Sequence, residues 1–581
     1  MRRFSLKNST KMGLIVSQVL LLVTLAGCST QPPVLPEEPA PSPVLATPIP
    51  TQQPTPTARP APTPTPVVSP SPGGSAGGTL TLVSAADIPH RDVHQVRQET
   101  LAALGPGLVY SRLLRLRTGP LVEQPSLMLE CDLCESWRLT SDFAYEFKLR
   151  PDVRWQNLNP VDGRPLVAGD LVYSYQRMET EGWPHAKLFS DRGISGFQAT
   201  EPGILRVSRA FLDSDALLAL ADGHSKIIAE EVVEQYGDLK RSPVVGTGPW
   251  IWESTEEGVG TALSRNPDYF EESLPYLDEL VIKLVKPSTL APSSPTKQVA
   301  AFRAGQVDVV NLPPREWNQL SSSTEEFNAT IAEQSGSGLL LWANLQTTLG
   351  GQTDIRRAIF QAIDPWEYVH SLGEGHGVVG AGVPVPSPDW LLPRDTIRDN
   401  YFASPTDARE LLAGAGVNLP LRIDIAVADS SQAHLALGKG IAEDLRAVGF
   451  APNLRAIHPA HYNRLLLQEK ESFQLIIGSA PQTPTTNGFL LGLLHSRGPV
   501  NLLGHQDPLL DSLIERQASE RDPALRRRQL VELQAYLLDQ AYLFSPGSET
   551  SRWAFNWDLK GFHPNTALSE YIFWSRAWLD R

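Results

Sequence analysis

The chain has 581 residues, 41% of them apolar and 20% charged, with a formal net charge of -14. That length suffices for several domains of ordinary size and for a large buried core. The acidic balance excludes a nucleic-acid binder, which needs a basic surface, and by itself it names no other partner.

The first segment reads as an address. Arg2, Arg3, Lys7 and Lys11 form a basic start, and Met12 to Ala26 is an apolar stretch. The stretch is short for a membrane span, which takes about 20 residues. Leu25-Ala26-Gly27-Cys28 places a small residue before a cysteine, the pattern of a lipobox. Residues 1–28 are therefore expected to be a signal peptide ending at a lipidated Cys28; the alternative is a secretory signal in which Cys28 is incidental. Acyl chains on that cysteine would hold the protein on a membrane surface without spanning it. Residues 29–78 are rich in Pro, Thr, Ser and Gly and read as a tether. Fully extended at about 3.1 Å per residue, it could reach on the order of 150 Å. Gly73-Gly74-Ser75-Ala76-Gly77 matches a nucleophile elbow, but that turn needs a strand before it, and here Pro70 and Pro72 precede.

The globular part begins with Thr79 to Ser84, which alternates apolar and polar residues as a strand does. A loop over Ala85 to Val93 and an apolar helical segment through Leu114 are expected next. Cys131 and Cys134 precede a strand rather than opening a helix, so a structural disulfide is expected rather than a redox pair. Two cysteines are too few for a closed zinc site. Tyr145 to Arg150 has period two and ends at Pro151. Asp162-Gly163 signals a turn, and Asp170 is expected to cap a helix carrying Val172, Tyr175 and Met178. Gly246, Gly248 and Pro249 mark a second turn. Ser404-Pro405-Thr406-Asp407 reads as an N-cap, a proline at the first helical position and a first-turn carboxylate. Leu530, Leu533, Leu537, Leu538 and Ala541 share one helical face, with Pro546 as the expected stop. Leu340 to Asn344, Arg422 to Val427 and Phe473 to Ile477 read as strands. Strands alternating with helices give an α/β class.

Several blocks, in one order, carry a resemblance. They are Glu135-Ser136-Trp137, Tyr145 to Pro151, Val153-Arg154-Trp155, Asp162-Gly163 and Gly169 to Ser174. Val245 to Trp250, Arg265 to Phe270, Pro275 to Asp278, Ala304 to Val309, Ile355 to Asp364 and Ala408 to Leu412 follow. Together they resemble the extracellular solute-binding proteins of family 5, the peptide- and nickel-type receptors of ABC importers. The resemblance runs from about Thr79 to the C-terminus. It implies a two-lobe periplasmic-binding-protein-like fold of type II, with an additional subdomain in the first lobe. The expected division is 79–120, 243–338 and 546–581 for lobe one, 121–242 for the subdomain and 339–545 for lobe two. It also implies a monomeric receptor without cofactor or metal, which captures a small solute, possibly an oligopeptide, and delivers it to a permease and ATPase complex on the extracytoplasmic face of a bacterial membrane.

No catalytic constellation is legible, so a lipid-anchored hydrolase is the weakest alternative; a ligand sensor or scaffold on the same fold is the other. His458 and His461 are separated by Pro459, and His370, Glu374 and His376 sit among glycines, so neither group is read as a metal site. Peptide-binding relatives carry a tryptophan and an aspartate after the strand equivalent to Phe473 to Ile477, the acid pairing with a terminal ammonium. Here Gly478 to Asn487 contains no aromatic residue and no acid. Either Asp87 or Asp92 takes that role, or the solute is not a free-amine peptide. Trp342, Asn344, Gln482, Arg497 and Asn501 complete the set of expected cleft residues, with core packing as the competing role for Trp342.

Overall fold

The computed structural model describes residues 77–286, 296–321, 327–467, 473–481, 483 and 485–581. Cys28, nearly all of the tether and Gln482 lie outside the described residues.

The alternation of Thr79–Ser84 buries Leu80 and Leu82 and makes it an edge strand, paired in parallel with Glu279–Leu284. Gly260–Arg265 and Trp250–Glu256 extend this sheet antiparallel. A second antiparallel sheet runs Cys134–Leu139, Tyr145–Leu149, Ile204–Arg209, Ile194–Glu201. Helix Ala168–Met178 lies on it and buries Leu171, Tyr175 and Met178. Both sheets share one core with the C-terminal segment, which contributes Phe562, Tyr571, Phe573, Trp574 and Leu579. This is lobe one. A satellite core around Val299, Phe302, Val310 and Leu320 adjoins it.

Arg112 ties the two ends of lobe one together. It is fully buried and holds Glu570 through two hydrogen bonds of 2.6 and 2.7 Å, while its third contact is the Ala221 carbonyl. Glu570 also accepts from the amides of Leu116, Tyr571 and Ile572. Burial disfavours the charge on Glu570, but Arg112 and these amides outweigh it and hold the carboxyl below its usual range.

Lobe two has its own core, from Leu340 to Phe544 in sequence. Its strands Leu421–Ala428, Phe450–Ile457 and Leu475–Ser479 are parallel, as βαβ crossovers require. Two long strands join the lobes. Asn328–Ala343 and Leu543–Phe555 pair antiparallel and belong to the same six-stranded sheet as the parallel strands. Their ladder is interrupted between Gln334 and Leu339. Gly336 and Gly338 sit in that gap at φ of +74° and +79°. A Cβ on Gly336 would lie 2.5 Å from Pro384, so glycine is needed for both conformation and space.

The expected apolar helix through Leu114 is not continuous. Gly105 and Pro106 limit it to Glu99–Ala102 and a 3₁₀ turn at Pro106–Leu108, and Leu114–Leu116 is a strand. Asp170 is not the N-cap of its helix. Val167 holds that position, and Asp170, three residues on, accepts the Val167 amide at 2.9 Å and pairs with Arg164. Ser404 precedes Pro405–Gly414 without a side-chain cap bond. Helix Pro523–Asp539 ends before Ala541, which turns the chain at φ +48°; Pro546 lies inside the second joining strand instead of stopping the helix.

Candidate functional site

Two cavities lie between the lobes, on opposite faces of the joining ribbon. Strand alternation separates them: Ser551 and Trp553 face the first, Thr550 and Arg552 the second. The first, about 450 Å³, is floored by Thr330 to Ser335. Lobe one supplies its walls from Gly119 to Pro125 and from His563 to Thr566; lobe two supplies Val378, Pro388 and Leu391. A further space of about 220 Å³ adjoins it through Pro125, Gln334, Ser335 and Thr566, and reaches Thr483 and Pro384. Its rim is polar. Thr483 Oγ1 and both side-chain polar atoms of Gln124 are buried there without a hydrogen-bond partner. The second cavity measures about 390 Å³.

The lobes also touch directly, away from the ribbon. Lobe one presents Asp213, Ser214 and Asp215; lobe two presents Asn487, Gln517 and Arg526. Asn487 Nδ2 donates to Asp213 at 2.6 Å, and its backbone amide donates to Asp215 at 2.7 Å. Arg526 pairs with Asp215 at 2.8 Å, with side-chain exposures of 8% and 1%. Gln517 donates to Asn487 Oδ1, and the Ser214 amide donates to the Ala518 carbonyl. Burial, reinforced by neighbouring Asp215, pushes the Asp213 carboxyl above its usual range. This is a buried polar latch across the lobe boundary.

The residues expected from sequence to form the site are placed elsewhere. Asp87 accepts the Gly258 amide at a hairpin end. Asp92 is fully buried and pairs with Arg177 at 2.5 Å; burial opposes its charge, but Arg177 and the His94 amide hold the carboxyl below its usual range. Asp92 is thus committed to Arg177, and Asp87 lies away from the interlobe cavities. Trp342 is 1% exposed and packs edge-to-face on Tyr462 at 5.8 Å. Asn344 is buried and starts a turn by accepting the Gln346 amide. Arg497 is exposed and pairs with Glu515 at 2.7 Å. Asn501, at φ +41°, braces its own loop through Ser496 and His505. None of these six lines the interlobe cavities. The residues that do, such as Gln334, Ser335, Asn565 and Thr566, come from segments more than 200 residues apart, and no local pattern marks them. Cys131 and Cys134 are joined by a disulfide, with Cα atoms 5.0 Å apart. No cluster of metal-ligating side chains occurs among the described residues.

Two α/β lobes joined by two strands, with a cavity between them, define a binding protein of the periplasmic type. Residues 129–501 match the bacterial extracellular solute-binding proteins, family 5, and the chain belongs to that family. It is 22% identical over 477 residues to the probable D,D-dipeptide-binding periplasmic protein DdpA of Escherichia coli, covering 79% of this chain and 87% of that one. It is 23% identical over 299 residues to the oligopeptide-binding protein AppA of Bacillus subtilis, covering 50% of this chain and 52% of AppA; the match thus spans about half the length of that relative. The structure of HbpA2 from Haemophilus parasuis superposes with a TM-score of 0.73 at 18% identity, covering 87% of this chain and all of that one.

Proposed function

We propose that this protein captures a small polar solute, an oligopeptide or a molecule of similar polarity, between its lobes and passes it to an ABC permease and ATPase complex. The observation that carries this reading is the polar space floored by the joining ribbon and walled by both lobes. A guest there touches both lobes, so its binding energy favours the closed state. The peptide-binding names of DdpA and AppA support the solute class. The altered segment after Ser479 supports a departure from free-amine peptides: Ala480 donates to Gly338, Thr485 caps Thr486–Phe489, and the described residues of that segment bring no carboxylate to the space. The lipobox supports attachment to the outer face of a cell membrane through Cys28; we read the protein as a monomer that works without a cofactor.

Mass spectrometry of solutes that copurify with natively expressed protein identifies the guest. Adding that solute back is expected to raise the thermal midpoint and slow amide exchange at 334–339 and 563–568. Amide exchange that stays unchanged with every copurifying solute overturns the reading. A Cys28→Ser variant is expected to be released from membranes. The latch supports a second reading, a ligand sensor or scaffold, because it holds the lobes together through protein contacts alone. Solute uptake that persists after deletion of the gene favours that second role.

A further inference from the structure

The second interlobe cavity contains an uncompensated charge. Arg552 is 1% exposed and lines it. One guanidinium nitrogen, Nη2, donates to the Gly373 carbonyl at 3.1 Å, while Nε and Nη1 have no hydrogen-bond partner. No carboxylate lies within ion-pair distance of it among the described residues; Glu374 and Glu333 act on it only from farther away, and burial pushes its pKa down. Removing a guanidinium from water without a counter-charge costs several kcal/mol, and native proteins normally compensate such a charge. The strand holds Arg552 in place, because its amide donates to Asn311 and its carbonyl accepts from Leu312.

The rest of the lining is largely apolar: Leu339, Tyr368, Val369, Leu372 and Ala433. His434 does not compete for an anion. Its two ring nitrogens are engaged by Ser431 and Ser479, and burial lowers its pKa toward the neutral form. His376 is half-buried and the exposed Glu549 also lines the space, so the only fully buried charge is that of Arg552. The volume, about 390 Å³, is that of a small-molecule site.

We propose that this cavity binds a small carboxylic acid with an apolar body, its carboxylate on Arg552 and its body against Leu339, Tyr368 and Leu372. The proposal goes beyond solute capture in the polar space: it assigns a guest of its own to the cavity on the other face of the ribbon. A buried guanidinium with Nη1 unpartnered suits a carboxylate, which accepts a short charge-assisted bond from it. The same chemistry could come from a free acid or from the C-terminal residue of a peptide.

Calorimetric titration of the whole protein with hexanoate, N-acetyl-leucine and N-acetyl-leucinamide tests this. The acids are expected to bind, and the neutral amide to bind roughly tenfold or more weakly, since it forfeits a charge-assisted bond. Arg552→Met is expected to lose acid binding by a similar factor while keeping its circular dichroism and thermal midpoint; Arg552→Lys is expected to recover part of it. Binding of N-acetyl-leucine without hexanoate assigns the carboxylate to a peptide end, and the reverse assigns it to a free acid. Equal binding of acid and amide, undiminished binding by Arg552→Met, or no binding of either acid overturns the proposal. If the acids fail while a copurified solute protects 334–339 from exchange, only this site falls. If the acids bind through Arg552 and no solute gives that protection, capture in the polar space falls and this site stands.

Discussion

Two buried arginine–carboxylate pairs perform different tasks with the same chemistry. Arg112–Glu570 lies inside lobe one and joins segments 458 residues apart. Arg526–Asp215 lies across the lobe boundary. When the first pair loses a partner, the orphaned charge has no route to water short of unfolding the lobe. When the second loses one, the lobes can part and rehydrate it. A buried pair thus fixes a fold or a conformational state according to what can move around it.

Substitutions can break that comparison. Glu570→Gln is expected to destabilise lobe one by about 3–5 kcal/mol, the usual cost of orphaning a buried charge, seen as a large fall in the denaturation midpoint. Arg526→Met is expected to leave that midpoint nearly unchanged and to shift the protein to an expanded form, with a larger radius of gyration by X-ray scattering. Equal losses of global stability in the two variants would show that the lobes do not move independently. Replacing both Cys131 and Cys134 by Ser is expected to cost about 2 kcal/mol, because the closed loop is very short, with no change in scattering.

The smallest effect concerns pH. The Asp213 carboxyl is raised in the latch by burial and by Asp215, so the closed form binds its proton more tightly than an open, hydrated form. Closure is therefore expected to strengthen as pH falls from above the raised value toward the ordinary carboxylate value, and to gain nothing from this group below it. Asp213→Asn should flatten that profile in scattering measured across the acidic range; a profile unchanged in the variant would assign the dependence to another group.

The sequence made the local elements legible and the long-range ones opaque. Thr79–Ser84 and Tyr145–Leu149 were readable because alternation is a local property. Asp170 sits three positions inside the helix start rather than at the cap its sequence suggests, because a carboxylate can serve a helix start from either the cap or the third residue. Asp92 suggested an ammonium site only while its partner was unknown, and Arg177 is 85 residues away. Arg552 offered no signal, since the meaning of a charge in SETSRWAF depends on which face of the ribbon it occupies. The lobe boundary raises the same difficulty: Asp213 and Asn487 become partners only after both lobes have folded.

The joining ribbon has a mechanical consequence. Both its strands continue into the sheet of lobe two, where Leu340 to Ala343 pair with Leu475 to Gly478. Asn328–Ala343 cannot slide without tearing that ladder, and Leu543–Phe555 cannot slide without tearing its own pairing to Asn328–Ala343. The ribbon is then a leaf spring whose widest notch is the gap between Gln334 and Leu339 that holds Gly336 and Gly338, with a second irregularity between Leu339 and Leu341. Residues of that notch line the cavities on both faces, so a guest on either face is expected to stiffen a hinge that the other face also depends on.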